Sequence, residues 1–157
     1  MELTIVAEDP ESRDAALLLD RLETELAARY GDDGKTDFTP EQVRVSGSVF
    51  LVARLGGRPV GCGALRPMEP GVVEVKRMFV EPDVRGRGLA ARILTELETC
   101  ARAMGYRAVR LETGVRQPEA IRLYEREGYR RIENYGKYVG NPLSVCYEKA
   151  IEDPRGA

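Results

Sequence analysis

The sequence predicts a mixed α/β (α+β) fold with a mixed, mostly antiparallel central sheet. Short alternating apolar runs follow one another in the middle of the chain, which predicts hairpins. A single helical stripe over residues 88–104 separates two strand-like segments, which predicts one parallel crossover. Strands and helices do not alternate throughout, so a doubly wound nucleotide fold is excluded. The length of 157 residues predicts one domain, 1–157.

The N-terminal third is predicted to hold one strand and two helices. LTIVA (3–7) alternates like a short strand. Asp9-Pro10 is predicted as the N-cap and first residue of a helix whose apolar residues keep a 3.6-residue period until Gly31. Thr39-Pro40-Glu41-Gln42 has the form of a capping box and predicts a second, short helix.

The rest of the chain is predicted to supply most of the sheet. Residues 48–55 and 59–66 form a predicted hairpin, and residues 72–80 form a longer strand. The remaining predicted elements are strands at 108–113, from Tyr129 and at 143–151, and a helix that begins at Gln117-Pro118. The sheet is therefore expected to have about six or seven strands and about four flanking helices.

Composition excludes several kinds of chemistry. The chain has no histidine, which removes Ser-His and Cys-His nucleophile pairs and histidine metal sites. Its three cysteines lie far apart without metal-ligand spacing, so we expect buried reduced thiols and no metal. No apolar run approaches the about 18 residues of a membrane span, and the acidic N-terminus is unlike a signal peptide. A cytoplasmic protein without membrane contact is therefore predicted.

Charge is uneven along the chain although the net charge is only −2. Bases outnumber acids after residue 41, but the arginines are interleaved with acids and lack an aromatic stacking set. This pattern argues against nucleic acid and favours a small polyanion. Acids outnumber bases in residues 1–41, which is typical of a solvated helix face or of a site that attracts a cationic partner.

The segment VRGRGLA (84–90) lies where the strand 72–80 gives way to the helix 88–104. The first amides of a helix lack intrahelical partners and carry partial positive charge, so they bind anions. Gly86 and Gly88 let phosphate oxygens approach these amides, and Arg85 and Arg87 add cationic donors. The segment matches neither a P-loop nor G-x-G-x-x-G, and it predicts a pyrophosphate cradle, with a purely structural turn as the alternative.

Two motifs resemble the GNAT superfamily of N-acetyltransferases. Arg85-x-x-Gly88-x-Ala90 is similar to the family's acetyl-coenzyme-A signature, Q/R-x-x-G-x-G/A. Residues 117–132 resemble its second motif, A-x-x-L-Y-x-x-x-G-Y/F, and the order of elements matches the family along essentially the whole chain. The stretch YVGNPLSVCYEK resembles a bacterial subgroup of small members.

The resemblance implies where acetyl-CoA binds. In the family, two adjacent parallel strands splay apart around the cofactor, and here they are residues 72–80 and 108–113. The main chain at residues 78–80 is expected to pair with the pantetheine amides, and the amides of 85–90 to hold the pyrophosphate. Gln117 departs from the asparagine usual at its position. The implied contacts are Met78, Phe79, Val80, Arg85, Gly86, Arg87, Gly88, Leu89, Ala90 and Gln117.

The resemblance also implies two catalytic side chains. Tyr124 falls on the tyrosine of the second motif, whose hydroxyl often protonates the departing thiolate, and a core tyrosine is the alternative. Glu74 falls where several members place the base that deprotonates the attacking ammonium. Pairing of Glu74 with a base such as Lys76 is an equal alternative, and Glu112 is the second candidate base. The acetyl group is expected to pass directly to the amine, so no cysteine is acylated.

The function implied is an acetyl-CoA-dependent N-acetyltransferase acting on the primary amine of a small molecule. Three other functions stay open: a peptide or protein N-acetyltransferase, a non-catalytic acyl-CoA-binding regulatory module, and a structural domain without a cofactor. The acceptor pocket is expected between residues 10–46 and 133–142. Tyr135, Tyr138 and Asn141 are candidates for its lining, although loop aromatics are equally typical of a lid or of a homodimer contact.

Overall fold

The computed structural model describes residues 1–31 and 38–152, in which seven strands form one sheet. The strands are β1 (Leu3–Ala7), β2 (Val49–Leu55), β3 (Arg58–Glu69), β4 (Val72–Val80), β5 (Ala108–Gly114), β6 (Arg130–Ile132) and β7 (Ser144–Ala150). The α-helices are α1 (Arg13–Tyr30), α2 (Leu89–Ala103) and α3 (Pro118–Arg126). This architecture confirms the predicted mixed α/β class.

The strands lie in the order β1-β2-β3-β4-β5-β7-β6, and every neighbouring pair except β4–β5 is antiparallel. The parallel pairing of β4 with β5 covers only Val72 with Ala108, Val73 with Val109 and Glu74 with Arg110. Past Glu74 the two strands are no longer paired, although β4 continues to Val80 and β5 to Gly114. The predicted parallel pair is therefore present, and it is splayed at its carboxyl end.

The sheet is covered by helices on both faces. Alternate residues of β2 divide between two apolar layers because side chains of a strand point to opposite faces. Val52 packs in the cluster with α1, whereas Leu51 and Ala53 pack in the cluster with α2. The helical stripe predicted for α2 supplies Ile93, Leu94 and Leu97, each fully buried. No helix of the described ranges combines the length and apolar character needed to cross a bilayer.

Helix α1 begins later than the sequence predicts. Asp9 was the predicted N-cap, but Ser12 fills this role and its hydroxyl accepts a hydrogen bond from the Ala15 amide at 3.2 Å. The Asp9 carboxylate instead accepts the Glu11 amide at 2.8 Å and closes a turn that precedes the helix. The predicted start at Asp9-Pro10 is therefore wrong, while the predicted end at Gly31 is confirmed by its φ of 74°.

The second predicted helix is a single 3-10 turn, Pro40–Val43. The Gln42 side chain accepts the Thr39 amide at 3.4 Å, as the capping-box pattern predicts. The turn stops after Val43, whose side chain is buried in the α1 layer. Three α-helices are thus present in the described ranges, where about four helices were predicted.

A β-bulge interrupts β4 beyond the point where it leaves β5. Cys62 of β3 pairs with Phe79, but Ala64 pairs with Lys76, so β4 carries an extra residue between these pairs. Arg77 lies in the bulge with a φ of 57°, a left-handed conformation that is uncommon for residues other than glycine. Its guanidinium lies 5.3 Å from the Phe38 ring centroid, on the α1 face. The bulge therefore turns Lys76 and Arg77 to the same face.

Candidate active site

A cleft of about 540 Å³ opens where β4 and β5 part. Its walls are the second half of β4, the end of β5, the start of α2, α3 and part of α1. The predicted site residues that line it are Met78, Phe79, Val80, Arg85, Gly86, Gly88, Leu89, Ala90, Gln117 and Tyr124. Glu112 also lines the cleft, whereas Glu74 and Arg87 do not.

The edge of β4 inside the cleft has no strand partner from Val75 to Val80 within the described residues. The side chains of Phe79 and Val80 are buried, so the strand presents mainly its main chain to the cleft. An extended molecule with amide groups can add to such an edge as a strand does. This geometry fits the predicted main-chain role of Met78, Phe79 and Val80.

The loop before α2 forms a concave surface of backbone amides. Gly86 and Gly88 have φ angles of 82° and 77°, in the left-handed region, and a Cβ added to either would meet no atom within 4 Å. The amides from Gly86 to Ala91 have no acceptor among the residues that the structure describes. Unpaired amides at a helix N-terminus bind anions, so this surface fits a phosphate group.

The two arginines of this loop lie differently from each other. The Arg85 side chain donates to the Val80 carbonyl at 2.8 Å and to the Glu25 carboxylate at 2.7 Å, which fastens the loop to β4 and α1. Arg87 is exposed and is not among the residues that line the cleft. The sequence reasoning missed Arg122 and Arg126 of α3, which are exposed and line the cleft. Their spacing of one helical turn was the available signal.

Tyr124 lies at the floor of the cleft with 5% of its surface exposed. Its ring packs against the rings of Tyr129 and Tyr147, at centroid distances of 5.9 Å and 6.4 Å. Its hydroxyl has no hydrogen-bond partner within the described part of the chain. Burial, with a smaller contribution from the Glu112 charge, raises the pKa of Tyr124 well above its ordinary value. The hydroxyl is therefore protonated at neutral pH and free to donate to a ligand.

Glu74 is almost fully buried and already has two partners. Its carboxylate accepts from the guanidinium of Arg66 and from the Tyr135 hydroxyl, the latter at 2.7 Å. The ion pair forms with Arg66 of the neighbouring strand rather than with Lys76. The carboxylate is thus held away from the cleft.

Glu112 lies in the cleft wall, on β5. It accepts a hydrogen bond from the Ser144 hydroxyl at 2.7 Å. Burial raises the pKa of Glu112 above its ordinary value, although the Ser144 hydrogen bond and the Lys76 charge oppose the shift. A carboxyl group whose pKa is raised towards neutrality is suited to accept and return a proton.

The loop before β7 reaches Lys76 at the edge of the cleft, but Tyr135, Tyr138 and Asn141, the predicted acceptor residues of this loop, do not line the cleft itself. The Tyr138 hydroxyl accepts from Lys76 Nζ at 2.8 Å, and the Tyr135 and Tyr138 rings meet at 90° with centroids 5.6 Å apart. Asn134 holds the loop by donating to the carbonyls of Tyr138, Asn141 and Ser144. The Asn141 side chain accepts the Leu143 amide and stabilises the loop itself.

The acidic N-terminal segment is largely paired within the protein. Arg54 binds the carboxylates of Glu8 and Asp14 at 2.7 Å and 2.9 Å. Arg44 binds Asp9 at 2.9 Å and, as the first cause, lowers the pKa of that carboxyl group. These pairs favour the solvated-surface interpretation over a cation-binding site. Part of the expected acceptor wall, residues 32–37, lies outside the described residues.

The cysteines are free thiols. Cys62 and Cys146 are buried as predicted, whereas Cys100 is half-buried at the edge of the α2 stripe. Burial raises the pKa of Cys62 to about 12, so this thiol does not ionise near neutral pH. Within the described ranges, no three His, Cys, Asp or Glu side chains are grouped as metal ligands would be.

Comparison with known proteins places the chain in a family. Residues 15–129 match the family model described as the Acetyltransferase (GNAT) family. The IAA acetyltransferase of Azospirillum brasilense is 37% identical over 150 residues, which cover 95% of this chain and 98% of that protein.

Solved structures share the fold. A Klebsiella pneumoniae protein, described as a proposed acyl-CoA N-acyltransferase, has a TM-score of 0.81 and 32% identity, over 96% of this chain and 98% of that chain. A GNAT family acetyltransferase from Elizabethkingia anophelis, solved with acetyl-CoA bound, has a TM-score of 0.68 and 17% identity, over 94% and 97% of the chains.

Proposed function

The chain belongs to the GNAT family of acetyltransferases, and on that premise we propose that it transfers acetyl from acetyl-CoA directly to the primary amine of a small molecule. One observation carries this proposal. The unpaired edge of β4 leads directly to the unpaired amides from Gly86 to Ala91. A chain of amides that ends in a pyrophosphate, as coenzyme A does, matches both features in that order.

The residues around the cleft divide the binding of this molecule between them. The main chain from Met78 to Val80 would hold the pantetheine, and the α2 amides would hold the pyrophosphate. Arg122 and Arg126 line the cleft, as Arg85 does, and would add charge beside the phosphates, whereas Arg87 lies outside the lining. Arg85 also supports the loop, because its Nε and Nη2 donate to Val80 and Glu25.

Tyr124 is proposed to donate a hydrogen bond to the thiol group of coenzyme A. Acetyl-CoA supplies the activated acetyl group, and the protein must stabilise the sulfur that leaves. A thiol has a pKa near ~8.5, below the raised pKa of Tyr124. The Tyr124 hydroxyl therefore keeps its proton. It stabilises the thiolate by donating a hydrogen bond and does not transfer the proton completely.

Glu112 is the base that the geometry favours over Glu74. An alkylammonium with a pKa near ~10.4 must lose a proton before its nitrogen attacks. Glu112 lies in the cleft wall, and burial raises its pKa. Glu74 is engaged by Arg66 and Tyr135 and lies outside the lining.

A small acceptor fits better than a peptide. Tyr135 and Tyr138 fasten the loop before β7 onto β4 through Glu74 and Lys76. A peptide substrate needs an open groove beside this loop, and the two hydrogen bonds hold the loop against β4. This contact supports the small-molecule proposal over a peptide or protein N-acetyltransferase.

Thermal unfolding and labelled acetyl transfer test the proposal together. Coenzyme A at 100 times its dissociation constant should stabilise the protein by about 2.7 kcal/mol. Radiolabelled acetyl-CoA should then transfer label to at least one member of a panel of amines, amino acids and IAA, the compound in the name of the Azospirillum relative. Stabilisation without transfer to any acceptor would favour the acyl-CoA-binding regulatory module, and no stabilisation would favour the structural domain.

A further inference from the structure

Lys76 differs from the other described lysines. The sequence has lysines at 35, 76, 137 and 149, and the first lies outside the described residues. Lys149 forms an ion pair with Glu98 at 3.1 Å, and Lys137 is exposed. Lys76 is half-buried and lines the cleft.

The surroundings of Lys76 are those of a nucleophilic amine. Its Nζ donates to the Tyr138 hydroxyl, and no carboxylate of the described residues lies within 4.0 Å of it. Burial is the largest influence on this ammonium and lowers the pKa of Lys76, although the Glu74 charge opposes the shift. Desolvation without a direct counter-ion increases the fraction of neutral amine.

The position of Lys76 on β4 places its amine near the proposed donor. Lys76 directly precedes the bulge, and the strand proposed to hold the pantetheine begins two residues later, at Met78. Glu112, on the facing strand, is close enough for its charge to raise the pKa of Lys76, which opposes the larger effect of burial. The thioester end of the cofactor would lie at this deep end of the cleft because the pyrophosphate cradle lies at the other end, near Gly88.

We propose that Lys76 is a self-acetylation site, modified by the acetyl-CoA bound in the protein's own cleft. This inference rests on the proposed function. The Lys76 ammonium first releases one proton to Glu112 or water. The neutral Nζ then forms a bond to the acetyl carbon, the carbon–sulfur bond breaks, and the sulfur leaves as a thiolate. The nitrogen loses its second proton as the amide forms, and the thiolate gains a proton in exchange. The products are Nε-acetyl-Lys76 and coenzyme A, with one net proton released.

Acetylation of Lys76 would occur when no acceptor is present and would inhibit later transfer of acetyl to an acceptor. The acetylated nitrogen loses its charge but keeps one N–H for the Tyr138 hydroxyl. The added acetyl group would occupy the acceptor end of the cleft. Molecules acetylated at Lys76 should therefore turn over the acceptor more slowly than unmodified molecules.

Peptide mapping by mass spectrometry tests this inference on the full chain. The protein is incubated with deuterated acetyl-CoA and no amine, and label is measured at Lys76 and Lys137. We expect Lys76 to be labelled about tenfold or more faster, because a bound donor has a high effective concentration. The fraction labelled per unit time should not depend on protein concentration. Excess coenzyme A should suppress label at Lys76 and leave Lys137 unchanged.

Lys76→Arg is the matched variant, because it keeps the charge and lacks the reactive amine. It should show no label in the peptide that contains position 76 and should unfold at the wild-type temperature. Equal labelling of Lys76 and Lys137, insensitivity to coenzyme A, or a labelled fraction that rises with protein concentration would overturn the inference. Normal amine turnover without label at Lys76 would overturn it and leave the proposed function standing. Absence of both label and turnover would overturn both.

Discussion

At the scale of single residues, Gly88 is the sharpest test of the phosphate cradle. Its φ of 77° is strained for any residue that has a Cβ. A Cβ at this position would also project into the open space that an anion would use. Gly88→Val should lower the affinity for coenzyme A by about tenfold or more, or about 1.4 kcal/mol. Isothermal titration with coenzyme A measures this change.

Gly105→Val is the matched control for that substitution. Gly105 has a φ of 87°, its added Cβ also meets no atom within 4 Å, and it lies outside the cleft lining. Both variants should lose about 1–2 kcal/mol of stability from the left-handed backbone. Only Gly88→Val should lose coenzyme A affinity. Equal losses of coenzyme A affinity in the two variants would mean that Gly88 is needed for the backbone structure and not for binding phosphate.

Tyr124→Phe should slow turnover by about 100-fold and leave coenzyme A affinity nearly unchanged. The hydroxyl has no partner within the described residues, so its loss removes no structural hydrogen bond. Steady-state kinetics at neutral pH measure the effect. Tyr147→Phe is the control, because its ring also contacts Tyr124 but its hydroxyl donates to Glu125. If the Tyr124→Phe variant has wild-type turnover, the Tyr124 hydroxyl has no part in catalysis and Tyr124 is a core residue.

Glu112→Gln should lower turnover and yet stabilise the protein at neutral pH. Because the folded pKa of Glu112 is raised by burial, the protonated form is favoured in the folded state. Its stabilising contribution is complete below the unfolded pKa, about 4.5, and is lost as pH rises through the folded pKa. Glutamine removes that loss. The two unfolding free energies should therefore agree near pH 4 and differ at pH 7.

Chemical denaturation at the two pH values tests the Glu112 prediction. Glu74→Gln serves as a comparison, because it should weaken the pairing with Arg66 and destabilise the protein. A Glu112→Gln variant that is less stable than wild type at pH 7 would show that the Ser144 hydrogen bond outweighs desolvation.

The positions of motif residues around the cleft were easier to predict at this scale than side-chain partners. Gly86, Gly88 and Tyr124 belong to short local motifs, so their positions follow from the sequence around them. The partners of Arg85 and Glu74 are Glu25 and Arg66, and they depend on how distant elements pack. A single sequence holds no distance information of that kind.

At the scale of elements, α2 is fastened to the C-terminal strands by a buried carboxylate. Glu98 is 5% exposed on the apolar face of the helix. It accepts from the Tyr129 hydroxyl at 2.8 Å and from Lys149 Nζ at 3.1 Å. The sequence pattern predicted the apolar stripe correctly but did not identify Glu98, because its partners come from residues far along the chain.

Glu98→Ala should destabilise the protein by about 3 kcal/mol, because it leaves the Lys149 charge without its partner. Glu96→Ala is the control, since Glu96 is exposed on the same helix. Surface substitutions of that kind change stability by about 0.5 kcal/mol or less. Urea denaturation compares the two, and similar losses would remove the assigned role of Glu98.

Element boundaries depended on local competition between turns and helices. Asp9 and Ser12 are both good N-caps, and the sequence alone does not rank them. In the structure the Asp9 turn comes first and Ser12 caps the helix. The stretch from Thr39 likewise has the correct cap but supports only one 3-10 turn before β2.

At the scale of the whole molecule, the sheet consists of two parts that meet at the short β4–β5 contact. Strands β1 to β4 form one part, and strands β5 to β7 form the other. The single parallel pair was predicted from the crossover helix, whereas the order of the strands within the sheet, with β7 between β5 and β6, was not predicted. The splay was implied by the family resemblance alone, because no residue pattern shows where two paired strands stop pairing.

Coenzyme A should therefore protect backbone amides on both sides of the cleft. If it adds to the edge of β4 as a strand would, amides of residues 75–80 and of the segment 86–91 should exchange more slowly. Hydrogen exchange with and without coenzyme A measures this change. Residues 3–7 of β1 lie at the far edge of the sheet and should be unaffected. Unchanged exchange at 75–80 would exclude the strand-like binding mode.

The short β4–β5 contact also has a mechanical consequence. If the molecule is pulled between β1 and β7, the load must cross all the strands that lie between them. The antiparallel pairs of β1–β2 and β5–β7 span whole strands, whereas β4–β5 is held by three residue pairs and by the packing of α2. Under force, the contact between β4 and β5 should therefore break first. A ligand bound between these two strands would connect them and raise the force needed to separate them.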